Sequence, residues 1–109
     1  MELKPKRIKT YVRSNGKSPF EDWVSDLRDK SAKAKIFTRI DRIRFGNFGD
    51  CKSVGGGVFE LRVHFGPGYR VYFGIFGAEV VLLLLGGDKS SQPRDVQTAQ
   101  KYWKEFTNG

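Results

Sequence analysis

Two short alternating runs carry the side chains best suited to chemistry. Glu60, Arg62 and His64 recur at every second position, and Arg70 and Tyr72 repeat that spacing a few residues on. A strand turns every second side chain to one face, so each run presents its polar members together. Glu60, His64 and Tyr72 can accept or donate protons, while Arg62 and Arg70 can hold an anion. One cysteine, Cys51, and one histidine in the whole chain exclude a zinc cluster and an internal disulfide. No acidic cluster recommends another metal, and no cofactor is implied. The plainer alternative is a half-solvated sheet face on which Glu60 and Arg62 only steady one another.

The elements that must position these residues follow from periodicity. Phe59, Leu61, Val63 and Phe65 interleave with the first polar run, and Tyr69, Val71, Phe73 and Ile75 with the second. Gly66-Pro67-Gly68 between them predicts a three-residue hairpin loop. That loop sets Phe65 opposite Tyr69, Val63 opposite Val71, Leu61 opposite Phe73 and Phe59 opposite Ile75. On the other face it pairs His64 with Arg70, Arg62 with Tyr72 and Glu60 with Gly74. A two-residue turn at Gly77-Ala78 would return Glu79 to Leu85 as a central strand. Val81, Leu83 and Leu85 then join the polar face as an apolar floor, which makes a concave site or a surface that a partner covers.

Lys6 to Val12, with Pro5 before it and Ser14-Asn15-Gly16 behind, reads as an edge strand. Ser18-Pro19-Phe20-Glu21 is a capping box, and Phe20, Trp23, Val24 and Leu27 make one apolar helical face. A second helix is expected from about Ser31 to Phe45, with Ile36, Phe37, Ile40 and Ile43 inward. Lys35, Arg39 and Arg42 share its other face, either solvated or set against an RNA backbone. Gly46 to Gly57 holds five glycines among twelve residues and reads as a loop. It lacks the Lys-Ser/Thr of a phosphate loop. Gly86 to Ser91 is a further loop, before a helix capped near Ser91 or Gln92 whose Val96, Ala99, Trp103 and Phe106 line one side. Trp23 and Trp103 are expected in the core, Cys51 is an incidental loop thiol, and Asp88 either caps or pairs with Lys89. The order β-α-α-β-β-β-α predicts an α+β domain: a mainly antiparallel twisted sheet on a helical hairpin, with a C-terminal helix.

The 109 residues suit one domain. Twenty Lys and Arg against 12 Asp and Glu give a net charge of +8, which points to polyanions or acidic proteins as partners. The apolar run Val80 to Leu85 falls far short of the roughly 20 residues that cross a bilayer. No secretory signal is expected from the charged start, so a soluble cytoplasmic protein without a membrane partner is predicted.

Three strings carry a resemblance. Phe59-Glu60-Leu61-Arg62-Val63, Gly66-Pro67-Gly68-Tyr69-Arg70-Val71-Tyr72-Phe73, and Leu84-Leu85-Gly86-Gly87-Asp88-Lys89-Ser90-Ser91-Gln92 resemble the signature of the RelE/ParE toxin superfamily. The likeness is nearest to its HigB-like addiction module killer branch, also met among phage proteins, and covers nearly the whole chain. It implies a RelE-like fold and the toxin of a type II toxin-antitoxin system. The implied partner is a cognate antitoxin, often a HigA-like helix-turn-helix protein, so DNA is met only through that complex. Many members cleave mRNA on the ribosome, whereas ParE-like members inhibit DNA gyrase; a basic RNA-binding phage module without toxicity is a third reading.

Residue by residue, Arg70 stands where RelE-like toxins place an arginine important for cleavage. Glu60 and Arg62 stand where RelE carries lysines, and Lys89 where such proteins present another cation. The C-terminal tyrosine of some members has no counterpart, since Tyr102 and Trp103 look like inward helix residues. Metal-free RNA cleavage needs a nucleophilic 2′-OH, a protonated 5′-oxygen and a stabilised phosphorane. Glu60 or His64 could be the base and His64 or Tyr72 the acid, with Arg62, Arg70 and Lys89 on the phosphate. An acidic amphipathic antitoxin segment is expected in the groove of the polar face or as a strand added at Lys6 to Val12.

Overall fold

The structure, a computed structural model, describes residues 5–108. Strand β1 (Arg7–Thr10) leads into helices α1 (Pro19–Asp26) and α2 (Lys30–Arg44). Strands β2 (Cys51–Gly55), β3 (Val58–Val63), β4 (Tyr69–Phe76) and β5 (Val80–Asp88) follow, then a single 3-10 turn and α3 (Gln92–Asn108). The sheet order is β1-β5-β4-β3-β2. β1 runs parallel to β5 and the other neighbours are antiparallel, so the sheet is mixed and mainly antiparallel.

Two apolar layers sandwich this sheet between helices. On one face the hairpin of α1 and α2 buries Phe20, Val24, Ile36, Ile40 and Ile43 against Leu61, Val63, Val71, Phe73, Val81 and Leu83. On the other, α3 lays Ala99, Val96, Trp103 and Phe106 over Val58, Tyr72, Leu82 and Leu84. Both helical faces were legible as i, i+3, i+4 spacings, with one exception. Phe37 is half exposed and meets the Phe20 ring edge-on, because α2 leaves that side to solvent.

The N-terminal caps differ in detail from expectation. Ser18 is the N-cap of α1 with Pro19 in its first turn, yet its hydroxyl makes no capping bond. Glu21 accepts from Thr10 Oγ1 at 3.1 Å instead, tying α1 to β1. For α2 the cap is Asp29, which accepts from the Ser31 and Ala32 N–H groups, so the helix starts one residue before Ser31. Asp88 caps the turn before α3, accepting from the Ser90 N–H at 2.8 Å.

Three expectations about the sheet are corrected. First, the stretch from Gly46 to Gly57 is not all loop, since β2 pairs with β3 and makes a fifth strand. Gly55, Gly56 and Gly57 all have positive φ, so the glycines form the tight turn of a hairpin. Second, the β3–β4 register is displaced by two residues: Phe59 faces Phe73, Glu60 faces Tyr72, Arg62 faces Arg70 and Val63 faces Tyr69. The connection is five residues long, His64 to Gly68, and a slip of two preserves every face, so alternation alone could not detect it.

Third, Phe76 pairs with Val80, leaving Gly77, Ala78 and Glu79 as a three-residue turn. The odd residue turns Val81 and Leu83 to the α1–α2 face and puts Leu82 beneath α3. A bulge opposite Tyr72 and Phe73 then brings Leu84 and Leu85 to the α3 side together. Strand β5 also runs on through Gly86 and Gly87 to Asp88, where a loop was expected. Those glycines belong to the sheet because neighbours lie on them: a Cβ at Gly86 would meet the Trp23 ring at 2.0 Å, and one at Gly87 would meet Asp95 Oδ2 at 2.0 Å.

Candidate functional site

The polar face of β3 and β4 is not open. Helix α3 covers it, and Glu60 is fully buried beneath the start of that helix. Glu60 Oε1 accepts from Arg70 Nη1 at 2.7 Å and from Arg62 Nε at 3.1 Å. Its other oxygen accepts from Gln92 Nε2 at 3.1 Å, in the first turn of α3. Burial raises the pKa of this carboxyl, but the bonds from Gln92 and Arg62 and the charge of Arg70 outweigh it. The result lies below the ordinary glutamate value. Two guanidiniums share one carboxylate, so the cluster keeps a positive charge in a fixed place.

Arg62 and Arg70 sit side by side as a register pair, with side chains 30% and 14% exposed. Both reach a groove of about 510 Å³ whose wall also includes His64, the Gly66-Pro67-Gly68 turn and Lys89. Four of the six predicted chemical residues therefore meet at one opening: Arg62, His64, Arg70 and Lys89. Glu60 lies behind them. Tyr72 pairs with Glu60 across the strands, but it too is fully buried, and its hydroxyl finds no hydrogen-bond partner. Burial and then the nearby Glu60 charge push its pKa well up.

His64 does not oppose Arg70, as the three-residue loop required. It is 73% exposed just beyond β3, and its Nε2 contacts the Asp50 carboxylate. The hydrogen bond with His64 is the main reason that the Asp50 pKa is lowered. Nothing local in the sequence singles out Asp50, which lies in the glycine-rich stretch that reads as loop. The one signal in the sequence is its place directly before Cys51–Gly55, the segment that pairs with β3. Gln92 reads in the sequence only as a helix start.

A second groove of about 390 Å³ adjoins the first, sharing Val63, His64 and Phe65 with it. Its other wall is α2, through Lys35, Thr38, Arg39 and Arg42. The predicted helix stripe thus runs into the hairpin site. Its members differ in freedom, however. Arg39 donates from Nη1 to the Arg62 carbonyl at 2.6 Å and from Nη2 to the Asp50 carbonyl at 3.4 Å, so it braces the hairpin. Arg42 is exposed, and the Lys35 ammonium stands 5.0 Å from the centre of the Phe65 ring.

Together the grooves form a basic channel with an aromatic ring midway. Such a channel can hold phosphates with cations and offer a ring for a base to stack on. Among the described residues no three His, Cys, Asp or Glu side chains gather where they could hold a metal ion. No helix among them is long and apolar enough to cross a membrane.

Comparison with known proteins matches residues 22–104 to a family model described as "Phage derived protein Gp49-like (DUF891)". A protein of Haemophilus influenzae described as uncharacterized is 53% identical over 87 residues, covering 80% of this chain and 88% of its own length. The family match spans both grooves and every residue of the Glu60 cluster.

Proposed function

The chain belongs to the family of phage-derived Gp49-like proteins, a family of addiction-module, RelE-like toxins, and from that membership we propose that it is the toxin of a type II toxin-antitoxin system that cleaves mRNA on the ribosome. One observation supports this activity above all. Arg62 and Arg70, fixed by buried Glu60, converge with Lys89 and His64 on one open groove. Preorganised cations aimed at a phosphate stabilise the charge of a phosphorane without moving to do so.

The reaction needs no metal. The 2′-hydroxyl gives up its proton and attacks phosphorus, forming the O2′–P bond while P–O5′ breaks. The 5′-oxygen takes up a proton, and the products are a 2′,3′-cyclic phosphate and a 5′-hydroxyl. Arg62, Arg70 and Lys89 hold the phosphate. Glu60 and Tyr72 have no exposed surface, and Glu60 already accepts from three donors, so they shape the clamp from behind. His64 is the exposed imidazole beside it, able to accept and donate a proton, and proton transfer falls to it. Lys35 and Arg42 extend the channel towards ribosomal RNA, and a HigA-like antitoxin is the silencing partner.

Mapping mRNA 5′ ends after induced expression tests the proposal. Cuts clustered inside translated codons are expected. Intact mRNA with broken DNA would point to gyrase inhibition, and neither lesion would leave a non-toxic binding module.

A further inference from the structure

We propose that Asp50 is a positioning residue that fixes the His64 imidazole, through its Nε2, for proton transfer at the ribose 2′-hydroxyl of the bound strand. The inference rests on the ribonuclease reading above and adds to it a residue from the bend just before β2. Two hydrogen bonds set the Asp50 backbone in place. Its carbonyl accepts from the Arg62 N–H at 3.0 Å and from Arg39 Nη2 at 3.4 Å. Gly49, just before it, has φ +60°, and a Cβ there would meet Arg39 Nη2 at 2.8 Å. The backbone at Asp50 is thereby pinned to both α2 and β3, and its carboxylate is delivered to His64.

His64 stands where the two grooves meet, and Asp50 lies against it. The cations lining those grooves are Arg39, Lys35 and Arg42 from α2, Arg62 from β3, Arg70 from β4 and Lys89 beyond β5, and Arg62 and Arg39 act on Asp50 directly. Among these cations Asp50 stays ionised and can only accept. Nε2 must then carry the proton, which leaves Nδ1 as the nitrogen with a free lone pair. Nδ1 takes the 2′-hydroxyl proton as O2′–P forms and P–O5′ breaks. A water protonates the departing 5′-oxygen, and the imidazolium returns its proton to the hydroxide left behind. Without Asp50 the ring could rotate, and either nitrogen could carry the proton.

Two measurements on the full chain test this. Nitrogen-15 NMR of the free protein should show His64 protonated at Nε2, and Asp50→Asn should populate the Nδ1–H form. On ribosomes programmed with mRNA, a positioned base is worth about 10²–10⁴-fold, so Asp50→Asn should lower kcat at least about tenfold with KM little changed. Asp50→Glu should recover part of that loss. His64→Asn should lose more, and the double variant no more than His64→Asn alone, because both act through one group. Wild-type tautomer and kcat in Asp50→Asn, or losses that multiply in the double variant, would overturn the role of Asp50 while leaving the ribonuclease reading intact. Failure of the wild-type chain to cut at all would overturn both.

Discussion

At the scale of single residues, the buried carboxylate of Glu60 governs the site. Removing one partner from a buried, hydrogen-bonded charge cluster strands the others, which costs about 3–5 kcal/mol. Glu60→Ala should therefore destabilise the fold by roughly 3 kcal/mol, read as a lower urea midpoint. The acid dependence has a definite sign. Folding holds the Glu60 pKa below its ordinary value near 4.5, so its stabilisation is complete above that value and is lost as pH falls through the folded one. Glu60→Gln should be less stable than wild type at pH 7, and the gap should narrow in acid. Arg70 needs a gentler probe than alanine, since only 14% of its side chain is exposed. Arg70→Lys keeps the charge but loses the planar fork, so cleavage should fall while the fold holds. The alternating pattern showed which of these residues share a face. That Glu60 is the hub, and that His64 answers to Asp50, depended on pairings 32 and 14 residues distant, and no local pattern reaches so far.

Elements place those residues through two glycine–tryptophan contacts, one on each side of the sheet. The Trp103 ring of α3 lies where a Cβ of Gly74 would be, at 2.3 Å, as Trp23 of α1 lies over Gly86. Gly74→Ala and Gly86→Ala should each cost about 1–3 kcal/mol by overpacking, seen as melting temperatures lower by several degrees. Both tryptophans are legible as core residues from helical spacing, whereas of the glycines that receive them Gly74 reads as a strand position and Gly86 as loop chemistry. The same bias hid β2, whose Gly-rich flank looked like a connection when it is the turn of a hairpin. A two-residue register slip and a three-residue turn escaped detection for a related reason: patterns fix the parity of faces, while counts across turns are settled by backbone geometry. Arg39 is a further case. It shares the basic stripe of α2, yet its bonds to the Arg62 and Asp50 carbonyls mean that Arg39→Ala should lower stability as well as binding.

Across the whole molecule, charge and exposed edges define how partners arrive. A net charge of +8 and a continuous basic channel predict affinity for RNA that falls steeply with salt. Each phosphate neutralised on a single strand adds about −0.7 to the slope of log K against log salt, so Lys35→Ala with Arg42→Ala should flatten it measurably. A slope unchanged by that pair would mean the outer channel is only solvated. Strand β1 at one sheet edge carries exposed Arg7 and Lys9 beside half-exposed Val12 and Phe76, chemistry suited to an acidic amphipathic segment. Hydrogen exchange with a neighbouring-gene antitoxin should show protection at β1 or across Glu60–Tyr72, and protection confined to the β2 turn would exclude both surfaces. The central claim is tested most directly by incubating the purified protein with one mRNA, naked or held on translating ribosomes, and sequencing the ends. Cleavage within codons only on the ribosome, leaving a 2′,3′-cyclic phosphate and abolished in Arg70→Lys with Lys89→Ala, is the expected result; intact mRNA on ribosomes that have bound the protein would contradict it.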